Sequence, residues 1–279
     1  MSDIVICIAP SAEAPGWARA LMSAIGPVDL AGRVLVTESL SEAYESDAAT
    51  RVLVMSSPAA LATRSSQFPP GGLHWLVQAS KSLAMTAEMI NSGAVVLDAA
   101  AAKLDFPGLG EVVRSDLELD IQVDHHAASL GLYEGLPNSA RFGVNWSQDV
   151  FSYLLGERLT GGSPEVDITG RARMLLHGPY IHLFNGQWRV KLKFEVNTEG
   201  LAIPLVVEWG HGGEFALQEV TISRSGVYEL EMTQGWRNVA PAQVRIQVIR
   251  PSFGGRLRVL DCRVDRLPDA DLDSGEKRG

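Results

Sequence analysis

Residues 171–196, RARMLLHGPYIHLFNGQWRVKLKFEV, constrain this chain more than any other stretch. After Asn185-Gly186, the residues Trp188, Val190, Leu192, Phe194 and Val196 alternate with Gln187, Arg189, Lys191, Lys193 and Glu195. Successive side chains of a strand point to opposite sides, so this period of two predicts a sheet with one buried and one polar face. Asn-Gly readily takes positive φ angles, and the dipeptide therefore predicts a tight hairpin joining the runs on either side of it. Other runs, at 171–176, 180–183, 203–209, 214–223, 226–232, 242–250 and 257–264, are short and separated by Gly-bearing turns. That spacing predicts an antiparallel β-sandwich or jelly roll over residues 165–267. Residues 268–279 are polar and charged and read as a flexible tail.

The first half reads differently. Apolar runs at 4–9, 34–37, 52–55 and 94–97 alternate with helical patterns at 15–25, 41–49, 59–67 and 75–90, and a further helix is expected at 109–117. Strands alternating with helices predict a doubly wound parallel sheet, here residues 1–119. Between the halves, residues 120–164 lack a regular pattern and read as a connector ending in Gly161-Gly162-Ser163-Pro164.

Charge follows the same division. Residues 1–162 hold 9 Lys+Arg against 18 Asp+Glu, and residues 163–279 hold 15 against 15. An acidic first half with no basic stripe argues against nonspecific nucleic-acid or anionic-membrane partners. No apolar run approaches the roughly 18 residues of a membrane span, so membrane insertion is not expected. The N-terminus, Met-Ser-Asp-Ile-Val-Ile-Cys, lacks a basic region and a long apolar stretch, and the expectation is a cytoplasmic chain unless it leaves in a particle or reaches the cell surface. Cys7 and Cys262 lie in apolar runs of different halves and read as buried free thiols.

Few constellations carry catalytic chemistry. Asp124-His125-His126 has only His74 as a further histidine before residue 177 and reads as a solvated loop pair. His177 and His182, five apart on an extended strand, should face opposite sides. Asp98 follows a strand and reads as an N-cap for the alanines after it. No nucleophile–base set or phosphate-binding loop can be drawn with workable spacing, so neither catalytic residues, nor a metal, nor a cofactor is expected. The rings of the second half, Tyr180, Trp188, Trp209, Phe215, Tyr228, Trp236 and Phe253, suggest another role. Flat aromatic faces cover the C–H side of a pyranose while amides and charged groups bond its hydroxyls. Trp188 and Trp209 sit in phase with core residues. Trp236, within Gln234-Gly235-Trp236-Arg237-Asn238, is the candidate exposed platform, with Arg237, Asn238, Tyr180 and His211 beside it as carbohydrate-binding candidates.

Two resemblances add to this. Residues 4–115 resemble the bacterial sulfotransferases, on the strand 4–9 followed by Pro10-Ser11-Ala12-Glu13-Ala14-Pro15, on Ser56-Ser57-Pro58, and on the long helix before the strand 94–98. The resemblance implies binding of a sulfonated adenine nucleotide. Yet two prolines remove backbone donors from the first loop, Glu13 adds a negative charge, and Ser56-Ser57-Pro58 replaces the family's Arg-Asp-Pro. The resemblance then implies a domain that has lost donor binding, in which Ser11, Ser57, Arg64 and Ser65 read either as a residual anion site or as ordinary helix N-caps. The second half, with Gly178-Pro179-Tyr180-Ile181 and Trp188-Arg189-Val190, resembles jelly-roll carbohydrate-binding modules of polysaccharide-associated proteins. It implies recognition of a polysaccharide by a non-catalytic protein with an α/β scaffold. Two other readings stand beside it: a transferase of capsule or exopolysaccharide assembly, and a spike or adhesin subunit acting as a homo-oligomer or with a protein partner.

Overall fold

The computed structural model describes residues 3–9, 13–25, 34–55, 73–115, 125–134, 136, 143–154, 156–157 and 164–268. The chain forms two compact units, Met1–Ala140 and Arg141–Gly279.

The first unit runs β1 (Ile4–Ile8), α1 (Ala14–Ile25), β2 (Val34–Thr37), α2 (Leu40–Glu45), β3 (Thr50–Met55), α3 (Leu73–Asn91) and β4 (Val95–Asp98). The four strands form a parallel sheet in the order β2-β1-β3-β4. Ile6 and Ile8 of β1 pack with Trp17 and Leu21 of α1 and with Val52 and Val54 of β3. Val5 and Cys7 point the other way and are equally buried, so both faces of β1 are covered. Helix α2 starts where Ser39 caps it, its Oγ accepting from Glu42 N. It stops at Glu45, short of the expected residue 49, because Ser46 Oγ takes the backbone N–H of Ala48 and turns the chain.

The helix expected at 109–117 is instead a hairpin over its described part. β5 (Lys103–Phe106) pairs antiparallel with β6 (Gly110–Val113). Gly108 and Gly110 both stand at φ 77, a conformation that ends any helix begun nearby, and the adjacent Val112 and Val113 suit a strand. Asp98 accepts from Ala100 N, but within a turn that no helix follows. The hairpin closes the sheet on the α1 side: Phe106 meets Trp17 edge-on at 5.8 Å, and both Trp17 Nε1 and Arg114 Nη1 donate to the carbonyl of Ala99. His125 begins a 3₁₀ segment that runs to Tyr133, in place of the expected loop.

In the second unit β7 (Gly143–Asn145), β8 (Ser152–Tyr153), β9 (Gly156–Glu157) and β10 (Glu165–Asp167) precede seven longer strands. These are β11 (Arg173–Leu183), β12 (Gly186–Asn197), β13 (Ile203–His211), β14 (Glu214–Ile222), β15 (Gly226–Trp236), β16 (Ala240–Val248) and β17 (Arg256–Arg266). One sheet has the order β15-β12-β17-β10-β9, with β7 also on β17; the other has the order β14-β13-β16-β11-β8. Thus part of the expected connector belongs to the sheets. The two runs read at 171–176 and 180–183 are one bulged strand, β11.

Trp188, Val190, Leu192, Phe194 and Val196 of β12 are all fully buried, as their alternation predicts. Burial of such side chains contributes about 1.5–3 kcal/mol each. The turn before them differs from expectation. β11 and β12 do not pair; they lie in opposite sheets, and Asn185-Gly186 carries the chain from one to the other. A two-residue hairpin of the favoured type requires positive φ at both central residues, and here Gly186 has it but Asn185 does not. The crossover is held from within: Trp188 Nε1 donates to Phe184 O at 2.9 Å, and the two rings meet edge-on at 5.3 Å. The two-residue hairpin of this unit is instead His211-Gly212-Gly213-Glu214, both glycines having positive φ.

Candidate functional site

Ser11, Ser57, Arg64 and Ser65, together with the helix expected at 59–67 and Asp124, lie outside the described residues. The strand order reverses between β1 and β3, and in open α/β sheets ligands bind beyond the carboxyl ends of the strands flanking such a point. Both thiols are buried and unpaired. Burial pushes Cys7 up to about 12, with Glu42 and Glu38 adding to the shift, and it raises Cys262 as well, so neither is a reactive nucleophile.

Trp236 is not an exposed platform. It is 2% accessible, its ring packs at 5.1 Å from Trp209 and 4.8 Å from His211, and its Nε1 donates to Ala240 O. It closes β15 opposite Gly186, in phase with the buried Met232, which explains why a residue read as part of a turn is core. His211, half-buried, serves that packing and lies 3.4 Å from Gly235 O. Arg237 and Asn238 are exposed beyond the strand end.

Tyr180 stands elsewhere, on the outer face of the five-stranded sheet. β11 shifts register between Pro179 and His182, and Tyr180 occupies the left-handed region at φ 67. Few non-glycine residues are held there, and those that are concentrate at functional sites. The extra residue also changes the parity of the strand: His177 pairs with Arg245 and His182 with Pro241, so the two histidines share one face instead of opposing each other. Tyr180 Oη and His177 Nδ1 are 2.9 Å apart, with the rings edge-on.

Cross-strand register assembles the rest of this face. One row reads Leu217, Glu208, Arg245, His177 and Ser152 across β14, β13, β16, β11 and β8. The next row reads Phe215, Gly210, Gln243 and Pro179. The Arg245 guanidinium lies 4.0 Å over the Phe215 ring, its Nε donates to Gln243 Oε1 at 3.0 Å, and its Nη1 is 3.6 Å from Glu208. Gly210, between Phe215 and Gln243, has the backbone of Glu214 where a Cβ would project. Burial and the charge of Arg245 lower the His177 pKa below its ordinary 6.5, so the imidazole is neutral at pH 7. Leu217, at the edge of the face, is 57% exposed. Together these residues offer an aromatic–guanidinium plane, donors, acceptors and apolar surface on rigid strands. Sequence reasoning found only Tyr180 of this set. Phe215, Glu208, Gln243, Arg245 and His177 are scattered over four strands, and no local motif joins them.

The outer face of the other sheet is a lattice of ion pairs. Arg189 meets Glu231 at 3.4 Å and Asp265 at 3.7 Å, Lys191 meets Glu231 at 3.2 Å, and Arg256 meets Glu165 at 3.1 Å. Beside it, a cavity of about 410 Å³ is lined by Asn145, Trp146, Gln148, Asp149, Leu260 and Asp261. It lies where β17 bulges at Leu260, between the parts of its edge that pair with β7 and with β10.

No known family model and no curated protein sequence matches this chain. Among solved structures it is similar to a family 35 carbohydrate-binding module from Clostridium thermocellum, at 10% identity and a TM-score of 0.31, over 44% of this chain and 96% of that one. It is similar to a carbohydrate-binding domain of a multidomain xylanase from the hindgut metagenome of Trinervitermes trinervoides, at 11% identity and a TM-score of 0.30, over 45% of this chain and 98% of that one. The Glycosylation Associate Protein complex from Streptococcus agalactiae matches over 95% of this chain and 50% of that one, at 10% identity and a TM-score of 0.31.

Proposed function

We propose that this chain recognises a glycan, and that the outer face of the five-stranded sheet is its binding surface, with the α/β unit as a non-catalytic scaffold. The observation that carries the reading is the Arg245 guanidinium lying 4.0 Å over the Phe215 ring, in a face that also bears Glu208, Gln243, His177 and Tyr180. Sugars have both apolar C–H faces and hydroxyl edges, and a surface that recognises them needs flat apolar area flanked by fixed polar groups. Here the flat area is a ring capped by a planar cation, and the polar groups are set on strands about 4.8 Å apart. Held on paired strands, they lose little freedom on binding.

The test is binding of the full chain to an array of glycans, followed by titration of the best ligand against Phe215→Ala and Trp236→Ala. Phe215→Ala should abolish binding in a folded protein, whereas Trp236→Ala should act through folding. Absence of binding to every glycan, or full binding by Phe215→Ala, would exclude this face.

A further inference from the structure

The glycan reading leaves open which chemistry the sugar carries, and Arg245 narrows it. Three neighbours surround the guanidinium: its Cζ lies 4.0 Å over the Phe215 ring, Gln243 Oε1 accepts from Nε, and Glu208 lies 3.6 Å from Nη1. The last distance is too long for a hydrogen bond, and Glu208 Oε2 has no hydrogen-bond partner among the described residues. Glu208 thus balances the charge without engaging the N–H groups, and Nη2 donates to no described group. A guanidinium held by one hydrogen bond, with N–H groups left over, matches a carboxylate in shape as well as charge, which a mobile ammonium does not.

The strand on the other side supplies a second donor. His177 is the cross-strand partner of Arg245, and its Nδ1 is engaged with the Tyr180 hydroxyl. The donor role in this bond depends on the tautomer; assigning it to the Tyr180 O–H leaves the ring proton of the neutral imidazole on Nε2. The left-handed backbone at Tyr180 and the bulge after Pro179 bring the phenol to the His177 side of the strand, where an unbulged strand would send it to the other.

Resting on the glycan reading, we infer that this face selects sugars bearing a carboxylate, that is uronates, with Arg245 and His177 as its donors and Tyr180 as a positioning residue. A hydroxyl in the place of the carboxylate would keep the stacking on Phe215 but leave the guanidinium with a neutral acceptor. Charge-assisted hydrogen bonds are worth about 1.5–3 kcal/mol, so the preference should be about tenfold or more.

The experiment uses the full chain, an array holding neutral and uronate glycans, and polygalacturonate alongside the same polymer after carboxyl reduction. Glycans retained on the array should carry a carboxylate, and carboxyl reduction should weaken retention about tenfold or more. Arg245→Met should bind the intact and reduced polymers alike, and Arg245→Lys should not restore the difference. Tyr180→Phe should weaken uronate binding several-fold while leaving any residual binding of the reduced polymer unchanged, an outcome that a general loss of packing would not give. Unfolding midpoints of each variant separate lost folding from lost recognition, and Arg245→Lys serves if Arg245→Met fails to fold. Neutral glycans bound as tightly as uronates would overturn the inference and leave the glycan reading standing. No glycan bound at all would sink both.

Discussion

The two outer faces of the sandwich are built by the same rule and end in opposite conditions. Each is the solvent side of alternating strands over one shared core, yet one satisfies itself and the other does not. On the face of β12, β15 and β17 the cations and carboxylates pair with one another, Arg189 with Glu231 and Asp265 and Lys191 with Glu231. Among its described residues the opposite face has the ion pair of Arg245 with Glu208, and beside it rings, imidazoles, the amides of Gln243 and Gln247, the carboxylate of Glu219 and the exposed Leu217. A surface whose charges are mutually neutralised gains little from a ligand. One that leaves a fixed guanidinium, an aromatic plane and apolar area exposed has binding capacity left over.

The largest effect should come from the core common to both faces. Trp236→Ala and Trp209→Ala each remove a buried indole, and stability should fall by about 3–5 kcal/mol, measured by denaturant unfolding of the full chain. Phe215→Ala, on the surface, should cost no more than about 1 kcal/mol of stability but at least tenfold in glycan affinity. If Phe215→Ala proved as destabilising as Trp236→Ala, the ring would belong to the core and the contrast between the faces would weaken.

The third effect depends on pH. The folded-state pKa of His177 lies below 6.5, through burial and then through Arg245, so the unfolded chain takes up this proton first as the pH falls. Stability contributed here is complete above 6.5 and declines as pH drops from 6.5 towards the folded pKa. Unfolding midpoints measured across that window should fall in the native chain and fall less in His177→Gln. An equal decline in both would place the responsible groups elsewhere.

These contrasts also explain what could be read from the sequence. The alternation in β12 is local, each residue's side depending only on its neighbours, and it predicted five buried side chains correctly. Whether Asn185-Gly186 makes a hairpin depends on which strands β11 and β12 choose as partners, and those lie at 240–248 and at 226–236 and 256–266. The same applies to Trp236, which read as a loop residue until the register with Gly186 placed it under the sheet. At 109–117 apolar residues suggested a helix, and the positive φ at Gly108 and Gly110 decided for a hairpin. The candidate site was the least legible part. Arg245 meets Phe215 and His177 only through pairing between strands distant in sequence, and a one-residue bulge reverses the side on which His182 lies.

The smallest effect should arise on the lattice face. Arg189 bridges Glu231 and Asp265 with its side chain 30% exposed, so its interactions are screened by water and salt. Arg189→Ala should cost about 0.2–1 kcal/mol, less at high ionic strength, because each exposed pair gains little beyond the cost of ordering two long side chains. The freed Glu231 keeps Lys191 at 3.2 Å, which limits the loss further. Glycan affinity of Arg189→Ala should equal that of the native chain. Loss of affinity here with stability intact would move the binding surface to the lattice, and the Arg245 guanidinium over Phe215 would then need another explanation.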